Sequence, residues 1–169
     1  IVGNVTTPVA TTTTVNSGGT LGVQGNITLP STESLTLSGA GVGSAGALNN
    51  VSGTNNVTGN ITIAASSNIG ATAGSLNLSG VISGTGSTLT KVGAGEVILS
   101  GTSANTYTGG TTVSAGTLTL NKTPGLDATG PSGTITVTGG TLALGATNAL
   151  PSSGSVSVAA GATLDVAGF

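Results

Sequence analysis

The sequence predicts an all-β chain wound as a right-handed parallel β-helix, a β-solenoid of about 7–8 coils of 20–24 residues. Three observations carry this. Apolar positions recur at long, nearly constant spacing: Leu37, Val57, Leu78, Leu99, Leu120, Leu144 and Val166 follow one another at 20, 21, 21, 21, 24 and 22 residues. The stretches around them are strands of two to five residues separated by glycine turns, too short to bury an apolar face alone, so they must stack on copies of themselves. Helix is nearly excluded, because Gly interrupts every few residues and no window holds a 3.6-residue period. A repeat this long exceeds a hairpin and falls short of a propeller blade of ~40–50 residues. It fits one solenoid coil, which advances the chain by about 4.8 Å.

Composition supports a narrow core of small side chains. The 169 residues include 31 glycines, 4% charged residues, one Tyr, one Phe and no Cys, Met or Trp. Low charge with much Gly and Ser could encode disorder, but the mean hydropathy of +0.41 and the regular Val, Ile and Leu positions argue for a packed chain. The absence of cysteine excludes a disulfide scaffold and a thiolate zinc site. A formal net charge of -2 offers no basic face to nucleic acid or anionic lipid. No apolar run approaches the ~18 residues of a membrane span. A start at Ile1-Val2-Gly3, without Met or a basic leader, is expected of a processed product or a segment of a longer chain.

Taken in order, residues 1–20 read as a Thr-rich entry strand with Pro8 as an interruption. Ile27 and Leu29 alternate up to Pro30, and Leu35 and Leu37 alternate again. Residues 39–60 have Val51 and Val57 isolated among turn formers, and are read as degenerate strands or a protruding loop. The pattern returns with Ile61 and Ile63, then Leu76 and Leu78. Residues 80–120 contain the best-formed coils. Residues 121–133, with two prolines and two charges, are read as an outward loop. The segments 134–144 and 155–166 repeat strand, small-residue turn and strand. Alternation turns Leu118 and Leu120 inward and Thr117 and Thr119 outward. The whole of 1–169 is expected to be one solenoid domain or part of a longer one.

Residues 88–120 are also similar to a known family. Leu89-Thr90-Lys91, Gly93 and Gly95, Leu99-Ser100-Gly101, then Asn105-Thr106-Tyr107-Thr108-Gly109-Gly110-Thr111, Val113 and Gly116-Thr117-Leu118 resemble the autotransporter-associated β-strand repeat. That repeat occurs in passenger regions of bacterial autotransporters and in other very large bacterial surface proteins. Val97 stands where the family favours Leu, and the dense match covers about 33 residues. The resemblance implies a right-handed solenoid, secreted or displayed at a bacterial cell surface, and right-handedness is also the general preference of parallel crossovers.

No catalytic, cofactor-binding or metal-binding residue is assigned, and no enzymatic activity is expected. Parallel β-helices include polysaccharide lyases and hydrolases, and glycoside hydrolysis needs paired carboxylates about 5–9 Å apart. Glu33, Glu96, Asp127 and Asp165 are dispersed along the chain, and there is no Arg or His to complete a lyase, triad or zinc site. Lys91 and Glu96 are read as a surface pair of little energetic weight. Tyr107 is read as a packed corner residue with its hydroxyl bonded to backbone. Seven Asn-x-Ser/Thr sequons, at Asn4, Asn26, Asn50, Asn56, Asn60, Asn77 and Asn121, arise easily in such a composition. Asn60 and Asn77 are expected to stack or cap turns between coils.

The function expected is structural: a stiff, weakly charged extracellular rod, able to join end to end through unpaired edges at Ile1–Val5 and Val166–Phe169. The alternative is an adhesin module that binds glycan or a neighbouring cell surface through 39–60 and 121–133. Water-ordering threonine ladders, as in ice binding, are a third reading, with Thr117, Thr119, Thr134 and Thr136 as its residues.

Overall fold

The structure, a computed structural model, describes residues 11–131, 133–151 and 153–166. Among the described residues there are seventeen strands: β1 (Thr11–Val15), β2 (Leu21–Gln24), β3 (Thr28–Leu29), β4 (Glu33–Gly39), β5 (Leu48–Ser52), β6 (Thr54–Val57), β7 (Ile61–Ala71), β8 (Ser75–Leu78) and β9 (Ile82–Ser83). There follow β10 (Leu89–Val92), β11 (Glu96–Gly101), β12 (Thr111–Val113), β13 (Thr117–Lys122), β14 (Ile135–Val137), β15 (Thr141–Leu144), β16 (Val156–Val158) and β17 (Thr163–Asp165). One 3-10 turn, Val42–Ser44, interrupts them. The strand pairings among the described residues are parallel and join each coil to the next, giving a β-solenoid of about seven turns.

Two sheets run along the axis. The seven-stranded one stacks β3, β6, β8, β11, β13, β15 and β17. The ten-stranded one bends through β7, whose Ile61 and Ile63 pair with Leu35 and Leu37 of β4, while Ile69 pairs with Leu48 of β5 and Lys91 of β10. The exposed Ala64, Ala65 and Ser66 in the middle of β7 mark that corner. The cross-section therefore has three sides.

Parity along each strand builds the core. Leu76, Val97, Leu118, Leu142 and Leu164 form one inward column and Leu78, Leu99, Leu120 and Leu144 another. Leu118 and Leu120 are buried and Thr117 and Thr119 half-exposed, as the alternation requires. Leu37 does not belong to this ladder. It pairs with Val15 and Ile63 on another side, and the residue beneath Val57 is Leu29. The coil between them is long, with Thr54 bonded to Asn26, 28 residues back. Its extra length holds the 3-10 turn, so residues 39–60 contain that turn together with β5 and β6.

The coils do not end alike. Side chains are sealed through the middle, but in the last coil Val158 is 41% and Val166 47% exposed, and Leu164 is only half-buried. The end-joining residues Ile1–Val5 and 167–169 lie outside the described residues.

Candidate functional site

Polar side chains inside the solenoid are its chemical peculiarity, and each takes its place from strand parity. Lys91 lies two residues after Leu89 and so points inward with it. It occupies a column otherwise made of Leu21, Leu48, Ile69, Val113, Val137 and Val158. Its side chain is fully buried, and Nζ donates to the carbonyls of Val92 (2.9 Å), Gly93 (2.8 Å) and Ala115 (3.0 Å). The last of these belongs to the next coil. Gly116 makes the room, since a Cβ there would lie 2.8 Å from Nζ, and its φ of 64° suits glycine. Burial pushes the ammonium down to about 8, opposed by the attraction of Glu96.

Lys122 follows Leu120 by two residues and is likewise buried, at 2% exposure. It pairs with Gly101 across the β11–β13 ladder, and Nζ donates to Ser100 O at 2.6 Å and Gly80 O at 3.4 Å. It thus reaches from its own coil past the one above. Burial lowers its ammonium to about 8 as well. These are the two cations of the chain.

Both placements correct the sequence reading. Lys91 is not a surface partner of Glu96: three carbonyls hold its ammonium inside, while Glu96 accepts from Thr119 Oγ1 at 2.6 Å. The charge at Lys122 does not mark an outward loop, because it belongs to β13 and points into the core. Exposed chain in 121–131 is confined to Asn121, Thr123–Gly125 and Pro131, whereas Ala128, Thr129 and Gly130 are buried.

The Asn105–Tyr107 corner is a second brace. Asn105 Oδ1 accepts from Ile82 N at 2.8 Å and Nδ2 donates to Ala128 O at 2.7 Å, tying one coil to those on either side. Tyr107 is fully buried, and its hydroxyl bonds Thr111 Oγ1 at 2.7 Å, a side chain and not the backbone as expected. Burial raises the phenol above its ordinary range, with the Thr111 bond pulling the other way. Amides fill the same role at 48–57. Asn55 Oδ1 accepts from Ile27 N at 2.7 Å, and Asn55 Nδ2 donates to Asn50 Oδ1 at 2.6 Å and Ser52 O at 2.8 Å. Asn50 Nδ2 in turn reaches Ala73 O at 2.6 Å. The sequence reading passed over Asn50, Asn55 and Asn105 as turn residues. Parity was the available signal: Asn55 precedes inward Val57 by two residues, and Asn105 precedes inward Tyr107 by two.

The surface amides behave as expected. Asn60 Oδ1 accepts from Val81 N at 3.0 Å, and Asn77 stacks between Asn56 (3.3 Å) and Ser100 (2.7 Å). Asn50, a sequon residue, is fully buried and closed to modification in the folded chain.

The structure keeps the carboxylates on separate coils. Glu33 in β4 is bonded by Thr13 Oγ1 at 2.5 Å and by Thr11 Oγ1, Glu96 lies in β11, Asp127 in the turn after β13, and Asp165 in β17. Among the described residues no three His, Cys, Asp or Glu side chains gather as a metal ion would need. An open groove of about 490 Å³ runs past Thr102, Pro124, Gly145 and Thr147. Among the described residues no helix is long and apolar enough to cross a membrane.

Fold and interior together define a β-solenoid braced along its axis by buried polar side chains. Residues 89–120 match the family model described as passenger-associated-transport-repeat, the stretch that holds Lys91, Asn105 and Tyr107. That finding agrees with the resemblance to the autotransporter-associated repeat. No curated protein and no solved structure matches the chain.

Proposed function

We propose that this chain is a non-enzymatic, load-bearing rod segment in the passenger region of a bacterial surface protein, working outside the cell. The observation that carries the reading is the uninterrupted ladder from β3 to β17, in which every coil is hydrogen-bonded to the next and the central ones are also tied by buried side chains. The passenger-associated repeat at 89–120 supports the surface context. Such a stack resists proteases because scissile backbone is already paired and cannot extend into an active site without opening a coil. The apolar, incompletely covered last coil suits continuation by another coil, from a following segment or from a second copy. Glycan or cell-surface adhesion is the second role proposed, and the exposed turn at Thr123–Gly125 beside the groove is where it would fall.

The test displays the chain between an outer-membrane anchor and an epitope tag. Retention of the full-length tag under external protease, with no oligosaccharide released from a polysaccharide panel, is the expected result. Rapid loss of the tag by cleavage within 75–144, or saccharide release, would refute the rod.

A further inference from the structure

The apolar columns do not by themselves say which coil sits on which. Leu76, Val97, Leu118, Leu142 and Leu164 are interchangeable in kind, and TLTL at 117–120 resembles TLAL at 141–144. A strand displaced by two residues, or a coil exchanged for its neighbour, keeps Leu on Leu and Thr outside. A one-residue slip is forbidden by parity, but a two-residue slip is not. Something else must discriminate among these registers.

We propose that Lys91 and Lys122 are register keys, buried cations whose function is to make one stacking of the central coils acceptable and the slipped ones unacceptable. The acceptors that belong to other coils are reached only in the observed register: Ala115 O for Lys91, whose other two carbonyls, Val92 O and Gly93 O, are local, and both Ser100 O and Gly80 O for Lys122. The rest of each setting is equally particular. Gly116 leaves space against the Lys91 ammonium, and Gly101 stands opposite Lys122. A two-residue displacement would set Lys122 against Leu99 in place of Gly101, away from Ser100 O and Gly80 O, and would part Lys91 from Ala115 O; a buried charge that loses partners is costlier than a misplaced methyl group. Glu96 is the charged group acting on Lys91, and it lies outside the column, bonded to Thr119. A buried ion in place of an apolar residue commonly adds little net stability, so specification of register explains its presence better than stability does.

The experiment compares the wild-type chain with Lys91→Met, Lys122→Met and the double variant, and with Leu118→Met as an apolar control. Each is refolded from denaturant and followed by hydrogen exchange of peptides covering β10 to β13. Methionine keeps length and apolar packing, so all variants fold. Wild type and Leu118→Met give one isotopic population per peptide. The double variant gives two, the second at least about a tenth of the total, and each single variant gives an intermediate fraction. A double variant that refolds to one population with the wild-type pattern would overturn the proposal. So would its failure to fold, since the lysines would then be required for stability and not for choice of register.

Discussion

The coil at 48–57 and the coils at 89–122 solve one problem with different chemistry. Both put polar groups into a narrow core. The first uses amides, with Asn50 and Asn55 bonded to each other and to backbone of neighbouring coils. The second adds to the Asn105 amide two ammonium groups, each capping carbonyls. An amide offers donor and acceptor together and so pairs with both N–H and C=O. An ammonium only donates, and must be placed where carbonyls converge. The amide brace is therefore indifferent to pH, whereas the lysine brace carries a charge that the interior disfavours.

The largest expected difference comes from removing one brace. Asn55→Ala leaves Ile27 N–H, Asn50 Oδ1 and Ser52 O without their partner, at ~1–3 kcal/mol per buried group. A loss of about 4 kcal/mol in urea denaturation is expected, against a smaller one for Lys91→Met, where the orphaned carbonyls of Val92, Gly93 and Ala115 are offset by removal of a buried charge. Comparable losses for the two variants would erase the distinction between the braces.

Alkaline pH separates the two regions next. Both lysines titrate near 8 in the folded chain and near 10.4 when unfolded, so the unfolded state binds more protons between these values and stability rises with pH across that window. With solvent screening allowed for, the gain is about 1–2 kcal/mol per lysine, about 3 in all. Above about pH 10 the trend reverses, because Tyr107 ionises in the unfolded chain but is held protonated when folded. Denaturation midpoints from pH 7 to 11 should pass through a maximum near 10. The rise should vanish in the double Lys→Met variant while the fall persists.

Smaller contrasts follow from burial. Leu118→Ala, in a sealed coil, should cost about 3 kcal/mol, and Leu164→Ala, at the same column's half-open end, about 1. Equal costs would mean that the last coil is covered in solution. Thr129 Oγ1 is a buried hydroxyl without a partner, so Thr129→Val should be neutral or stabilising by up to about 1 kcal/mol. A clear destabilisation would mean that the hydroxyl has a bond in solution.

Much of this architecture is legible in the residues. The strand-turn-strand units at 134–144 and 155–166 fall where β14 to β17 form, and the Leu78, Leu99, Leu120, Leu144 ladder is read correctly. Leu37 misleads because each of the three sides carries apolar residues at the same period, so a residue one side away can imitate a member of the column. Lys91 and Lys122 mislead for another reason. A lysine reads as surface unless its acceptors are known, and those are backbone carbonyls, Ala115 O, Ser100 O and Gly80 O coming from other coils, which leave no mark on local sequence. Parity alone would have turned both inward, and Asn55 and Asn105 with them.

The column of outward residues Thr54, Ser75, Glu96, Thr117, Thr141 and Thr163 tests the stack most directly. The chain lacks cysteine, so Thr54→Cys and Thr163→Cys, both at exposed positions, accept spin labels selectively. Five coil steps of about 4.8 Å place them about 24 Å apart along the axis. A single narrow distribution near that distance in dipolar spectroscopy is the expected result. A broad distribution, or a main peak beyond about 35 Å, would contradict the in-register solenoid on which the account depends.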